Sequence, residues 1–190
     1  ALDHESNIYT TLHEMTHALG FSSGLYQYYI DSTGKPLKNT VTTQQLNGKT
    51  VTVLNVEPLT SRLRAHFGCS NITGALMEDE GGSGTINSHF ERRVFLFEVM
   101  TASVINDQRI SQFTLALLEG TGWYVANYSN ADNFYAGAGE GCGYYYGYCT
   151  NNQGVPNFDE YCSSSEYRKC ASSGRAGGIC NKDINSNGCS

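Results

Sequence analysis

The segment HEMTH at residues 13–17 constrains this chain more than any other feature, because it combines a metal-binding spacing with a helical pattern. Apolar residues recur at helical spacing around it, and a glycine that can end a helix follows at position 20. The pattern predicts a helix over residues 5–19. His13 and His17 would then lie on one face, with Cβ atoms about 5–6 Å apart. At that separation both imidazoles can bind one zinc ion.

Glu14 lies between the two histidines and suits the chemistry of a metal-dependent hydrolase. Its side chain would point away from the line of the imidazoles but could reach a water on the metal, whose pKa zinc lowers. The carboxylate could take a proton from that water as it attacks a peptide carbonyl. The same H-E-x-x-H pattern also arises by chance on ordinary amphipathic helices, so further ligands are needed to support a catalytic site.

The third metal ligand is not where the commonest long form of the pattern would place it. That form continues through a glycine to a third histidine, and this chain has Gly20 but carries Ser23 in the histidine position. Three other histidines are available: His4, His66 and His89. His4 would have to fold back onto its own helix, and His66 has the aromatic, helical surroundings of a packed structural histidine. Local context therefore favours His89 over His66.

Residues around His89 suggest how a distant ligand could reach the metal. A Gly-rich loop precedes it, and Ser88 with Glu91 forms a capping box, which predicts a helix over about residues 89–99. A histidine at a helix start after a flexible loop can be delivered from far along the chain. The sequence between Ser23 and His89 would then be an insertion between the second and third ligands.

The rest of the chain carries both strand and helix signals, which predicts an α+β fold. Residues 25–56 are rich in Tyr, Thr and Val and contain turn motifs, so hairpin-like strands are expected there. One short helix is predicted to end at Gly68, and an amphipathic helix is predicted after Ser111, ending at Gly120.

Charge and hydropathy argue against nucleic-acid binding and against a membrane-spanning helix within this sequence. The net charge of −6 argues against a nucleic-acid-binding protein, which would normally present a basic face. No apolar run approaches the roughly 20 residues of a membrane-spanning helix.

Cysteine usage indicates an oxidising compartment. Six of the seven cysteines lie between residues 142 and 189, in a tail rich in Gly, Ser and Asn, without the close C-x-x-C pairs of a zinc ribbon. The sequons at Asn71 and Asn127 agree with secretion. We therefore expect a disulfide framework and an extracellular or cell-surface location.

Several motifs together resemble the leishmanolysin family of zinc metalloproteases, which belongs to the metzincin clan. They are HEMTHALGF, LRAHFGCSNITGALMEDEGGSGTINSHFERR, EVMTAS and LLEGTGWYVANYS, and the resemblance covers nearly all of residues 8–180. It implies zinc on His13, His17 and His89, with Glu14 as general base. Met100 would be the methionine of a turn beneath the metal, which forms a packed apolar floor and does not bind the ion.

The resemblance also implies a domain organisation and a disulfide pattern. Residues 1–141 would be the C-terminal portion of a metzincin catalytic domain, its lower subdomain with the long insertion, and residues 142–190 would begin a Cys-rich domain. The implied disulfides are Cys69–Cys142, Cys149–Cys189 and Cys162–Cys180, which leaves Cys170 unpaired.

The predicted function is that of a zinc-dependent endopeptidase acting on polypeptides outside cells. One alternative is a non-catalytic adhesion or binding module on a degenerate protease scaffold, although the intact set of His13, Glu14, His17, His89 and Met100 favours an enzyme. Another is a structural zinc site, which a fourth protein ligand would close.

Only twelve residues precede His13, whereas the family builds an upper subdomain from sequence upstream of this helix. The helix is therefore expected to expose an apolar face, and residues 1–190 alone are expected to show little endopeptidase activity. Any membrane attachment of the parent protein would lie in segments outside this sequence.

Overall fold

The chain folds into short helices and antiparallel strands joined by long loops, in a computed structural model that describes residues 4–103, 105, 107–163, 168–170 and 177–180. The helices are α1 (His4–Leu19), α2 (Leu59–Phe67), α3 (Arg92–Phe95), α4 (Gln112–Gly120) and α5 (Gly141–Tyr146). The strands are β1 (Val41–Leu46), β2 (Lys49–Leu54), β3 (Ala75–Leu76), β4 (Arg168–Cys170) and β5 (Gly177–Ile179). This mixture agrees with the predicted α+β class.

The predicted hairpin is formed by β1 and β2. Its two-residue turn is Asn47-Gly48, with φ angles of 52° and 81°, and an Asn-Gly pair accepts this left-handed backbone at low cost. β3 adds to the other edge of β2, with Val53 opposite Leu76, which completes a three-stranded antiparallel sheet. β4 and β5 pair separately near the end of the chain.

An aromatic core joins the helices to the sheet. The ring of Phe67, at the end of α2, packs within 5.0–6.2 Å of Phe95, Phe113, Tyr144 and Tyr145, measured between ring centroids. All of these side chains are fully buried. Gly68 ends α2 in the left-handed conformation, with φ of 67°, as the sequence predicted.

Tyr145 joins α5 to β3 through its hydroxyl group. The hydroxyl donates to the Gly74 carbonyl at 2.8 Å and accepts from the Leu76 N–H at 3.1 Å, and the side chain is fully buried. We expect Tyr145→Phe to lower the free energy of unfolding by about 1–3 kcal/mol, because it leaves two buried backbone groups without a partner.

Chemical denaturation of wild type and variant measures this effect. Tyr146→Phe is the matched control, since its hydroxyl makes a solvent-exposed 3.3 Å bond to the Asn71 carbonyl and its loss should cost little. Equal stability losses in the two variants would contradict the stabilising role given to the Tyr145 hydroxyl.

The predicted helix over residues 89–99 is wrong. The helix here, α3, spans only Arg92–Phe95, and its N-terminal cap is Glu91, whose carboxylate accepts from the Arg93 N–H. Phe90 is instead extended, because its N–H donates to the Met100 carbonyl at 2.9 Å and it pairs with neighbouring strand-like segments. Tertiary backbone pairing therefore overrides the local capping signal.

Two of the predicted disulfides are present, Cys69–Cys142 and Cys162–Cys180. Cys170 is free and exposed, as predicted. Cys149 is disulfide-bonded, and its predicted partner Cys189 lies outside the described residues.

The predicted boundary near residue 141 crosses a continuous core. Tyr144 and Tyr145 pack on Phe67, and the Cys69–Cys142 bond links the segment after α2 to α5 across it. The division into two domains stays a prediction.

The surface of α1 exposes three large apolar side chains. Ile8, Met15 and Leu19 are 46%, 52% and 39% exposed. This agrees with the expectation that the helix presents an apolar face. Among the described residues, no helix combines the length and hydropathy needed to cross a bilayer.

Candidate metal centre

Three imidazole rings converge at one point, two from α1 and one from the segment before α3. The Nε2 atoms of His13, His17 and His89 lie 3.0–3.2 Å from one another. Nitrogen ligands at about 2.0–2.1 Å from a tetrahedral zinc ion would be roughly 3.3 Å apart. The three atoms are therefore spaced as the ligands of a single small cation.

Each ring is oriented by a backbone carbonyl on its other nitrogen. The Nδ1–H of His13 donates to Val99 at 2.7 Å, that of His17 to Phe21 at 2.7 Å, and that of His89 to Thr85 at 3.0 Å. A carbonyl oxygen can only accept, so each Nδ1 carries the proton and each neutral ring has a lone pair on Nε2. Three lone pairs that face one another with no donor between them repel, and a cation bound between them removes this repulsion.

Burial favours the neutral, metal-binding form of His13 and His89. Burial lowers the pKa of His89 to about 4, and the other two histidines contribute in the same direction. The pKa of His13 is also lowered, chiefly by burial, although its bond to Val99 opposes the shift. A protonated imidazole cannot ligate a metal, so these shifts favour metal binding at neutral pH.

The chain after α1 folds back to support His17. Phe21 N–H donates to the Thr16 carbonyl at 3.1 Å, and the fully buried Phe21 ring packs on Phe90 with centroids 4.7 Å apart. This anchors the Phe21 carbonyl that accepts from His17. Gly20 and Phe21 therefore matter for orienting a ligand as well as for ending the helix.

Ser23, which occupies the position of the third histidine in the long pattern, lies beside the residue that precedes His89. The Ser88 and Ser23 hydroxyl oxygens are 3.4 Å apart. The long segment between them, with its hairpin and α2, thus returns to the end of α1 and brings His89 to the pair on the helix.

Glu14 is not one of the converging groups. It is exposed and lines a cavity of about 80 Å³ that His13 and His89 also line, with Thr101, Ser103 and Gln108 among the other lining residues. Its carboxylate therefore borders the space next to the imidazoles without belonging to the cluster.

The other two histidines lie apart from this cluster. His4 is exposed at the start of α1. His66 Nε2 lies 2.9 Å from the Ala136 carbonyl, and the ring packs against Phe113 and Phe134. Among the described residues, no fourth His, Cys, Asp or Glu joins the three converging nitrogens.

Met100 is fully buried, in a turn that contacts both segments that carry the converging histidines. Val99 in this turn accepts from His13, and the Met100 carbonyl accepts from the N–H of Phe90, the residue after His89. Sequence reasoning identified Met100 but missed these carbonyl groups. It also missed Glu98, whose carboxylate holds the turn; a lone acidic residue inside the apolar run FLFEVM is the signal that could have found it.

Comparison with known proteins places nearly all of the chain in one family. A family model described as Leishmanolysin matches residues 2–187. A Leishmanolysin-like peptidase of Caenorhabditis elegans is 36% identical over 171 residues, which cover 74% of this chain and 26% of that protein. A Leishmanolysin homolog of Crithidia fasciculata is 33% identical over 159 residues, covering 84% of this chain and 23% of that protein. The chain thus spans about a quarter of the length of these relatives.

Proposed function

Because the chain belongs to the leishmanolysin family, we propose that it is the metal-binding part of a zinc-dependent endopeptidase that hydrolyses peptide bonds in proteins. The observation that carries this proposal is the convergence of three Nε2 lone pairs from His13, His17 and His89. Zinc accepts such a set of nitrogens, and three protein ligands leave a coordination position open, as in catalytic zinc sites. A structural site would be closed by a fourth protein ligand.

The residues of the chain divide the catalytic work between them. His13, His17 and His89 would hold a zinc ion, which when bound would supply Lewis acidity that lowers the pKa of water and polarises a carbonyl group. The carboxylate of Glu14, which borders the same cavity, accepts a proton from the attacking water. It then passes this proton to the nitrogen of the leaving amine. Met100, whose side chain is fully buried in the turn that orients His13, would form an apolar floor for the site.

We also propose that the protein acts on polypeptides outside the cell or at its surface. The disulfides Cys69–Cys142 and Cys162–Cys180 support this, since such bonds persist in oxidising compartments. Both sequon asparagines, Asn71 and Asn127, are exposed and could carry glycans.

Zinc content tests the proposal directly. We expect one tightly bound zinc ion per molecule after equilibration with excess zinc and gel filtration, measured by elemental mass spectrometry. Removal with a chelator should lower the unfolding temperature, because an ion that binds only the folded state stabilises it by about 2.7 kcal/mol at a hundredfold excess over Kd. A chain that retains no zinc and shows no shift would contradict the proposed function.

A further inference from the structure

A carboxylate is fully buried in the turn that carries Met100. Both oxygens of Glu98 accept hydrogen bonds: Oε2 accepts from the Met100 N–H at 2.5 Å, and Oε1 accepts from the Thr114 hydroxyl at 2.5 Å and from the Ser111 hydroxyl at 3.1 Å. The Ser111 N–H adds a longer bond of 3.3 Å at the N-terminal cap of α4. Burying a carboxylate is costly, and these hydrogen bonds compensate for the lost hydration. A buried glutamate held by so many bonds is a candidate for a role in the neighbouring site.

The Met100 N–H belongs to the same peptide group as the carbonyl that orients His13. This group, between Val99 and Met100, donates from its nitrogen to Glu98 and accepts on its oxygen from the His13 Nδ1–H at 2.7 Å. Resonance couples the two ends of a peptide group. An anion bound at the N–H therefore increases the negative charge on the oxygen, and hydrogen bonds in such a chain strengthen one another.

The other two histidines lack this arrangement. The carbonyl of Phe21, which binds His17, belongs to a peptide group whose N–H, on Ser22, donates to the neutral Gly20 carbonyl at 2.8 Å. The carbonyl that binds His89 belongs to a group whose N–H, on Ile86, donates to the neutral Gly82 carbonyl at 3.0 Å. Of the three imidazoles, only His13 donates to a peptide group whose own N–H donates to a carboxylate.

We propose that Glu98 is a positioning residue of the metal site, which acts on His13 through the Val99–Met100 peptide group. Metal-binding histidines usually donate their second N–H directly to a carboxylate or a carbonyl. Here the carboxylate acts from one peptide group away: it holds the carbonyl in place and increases the electron density on the His13 ring. His13 Nε2 thereby becomes a stronger ligand. This inference rests on the proposed function, in which the three histidines bind zinc.

The variant Glu98→Gln tests the charge while keeping the size of the side chain. Its amide oxygen can still accept from the Met100 N–H, so the turn can form without the anion. We expect zinc affinity, measured by competition with a chromophoric chelator at pH 8, to fall about 10- to 100-fold. Burial raises the pKa of Glu98 to about 7, so wild-type Glu98 is mostly ionised at this pH.

A second measurement separates positioning from general destabilisation. In isotope-labelled protein, the Nδ1–H proton resonance of His13 should move upfield in Glu98→Gln, because its acceptor is weakened. The corresponding resonances of His17 and His89 should stay in place, since neutral groups support their acceptors. These spectra can be recorded with and without zinc.

Tyr145→Phe is the control for lost stability. Its hydroxyl bonds the Gly74 carbonyl and the Leu76 N–H, so its removal destabilises the core without touching the bonds of Glu98. We expect a lower unfolding temperature with nearly wild-type zinc affinity and an unshifted His13 resonance.

Two results would overturn the inference: equal effects of Glu98→Gln and Tyr145→Phe on zinc affinity, or movement of all three imidazole resonances together. A wild-type chain that binds no zinc would contradict the proposed function. In that case the metal-free spectra still decide whether Glu98 acts on His13.

Discussion

Replacing Glu14 by Ala is expected to abolish most peptide hydrolysis while leaving zinc bound. The carboxylate borders the cavity beside the imidazoles but does not belong to the cluster of converging nitrogens. Its loss should therefore remove a proton acceptor without removing a ligand. General-base catalysis contributes about 10²- to 10⁴-fold, so kcat should fall by that factor.

The assay for this prediction combines cleavage of a denatured protein with metal analysis of the same sample. It is best made in the longest natural form of the protein that contains residues 1–190, because the chain spans about a quarter of its relatives' length. Glu140→Ala removes another exposed carboxylate, at the start of α5, and should leave turnover unchanged. Near-normal turnover in Glu14→Ala would exclude the proposed role of this residue. If the protein binds zinc but cleaves nothing, the non-catalytic alternative gains support.

The second large effect is expected from the third histidine. His89→Ala should lower zinc affinity by more than the roughly 10- to 100-fold typical of a supporting residue, because it removes one of three ligands. The Nε2 of His89 lies 3.1 and 3.2 Å from those of His13 and His17, and no other described His, Cys, Asp or Glu offers a ligand atom to this cluster.

His66→Ala is the matched comparison, since it removes the other histidine that sequence context considered. Its ring bonds the Ala136 carbonyl and packs on Phe113 and Phe134, away from the cluster. We expect a stability loss of about 1–3 kcal/mol from the unpaired carbonyl, with zinc still bound. Zinc content of the two purified variants distinguishes them, and the reverse pattern would overturn the ligand assignment.

The features that could be predicted from the sequence depend on contacts between residues near in the chain. The helix around His13 and His17 follows from a periodicity that α1 shows from residue 4 to residue 19. The Asn47-Gly48 turn and the Gly68 cap follow from backbone conformations that these residue types favour. A resemblance in the motifs supplied the disulfides Cys69–Cys142 and Cys162–Cys180, which spacing alone could not have paired.

The third histidine could be narrowed down but not placed. Sequence context favoured His89, and the structure brings its Nε2 to the pair on α1, yet the reason given for it was partly wrong. The capping box at Ser88 and Glu91 predicted a helix start. In the structure Phe90 is extended, because its N–H donates to the Met100 carbonyl of a distant segment. Local capping contributes about 1 kcal/mol, and tertiary pairing of a buried segment outweighs it.

Only the tertiary structure decided what supports the three imidazoles. The sequence by itself determined which side chains can bind a metal, because ligand chemistry belongs to the residue type. The imidazoles are oriented by the backbone carbonyls of Val99, Phe21 and Thr85. Every residue has a backbone carbonyl, so the sequence carries no sign of which ones take this role. Glu98 acts on the site through a peptide group that is defined only when the turn is folded. The orientation and basicity of the ligands therefore depend on backbone hydrogen bonds. These bonds can be identified only once the fold is known, because backbone groups are the same in nearly every residue.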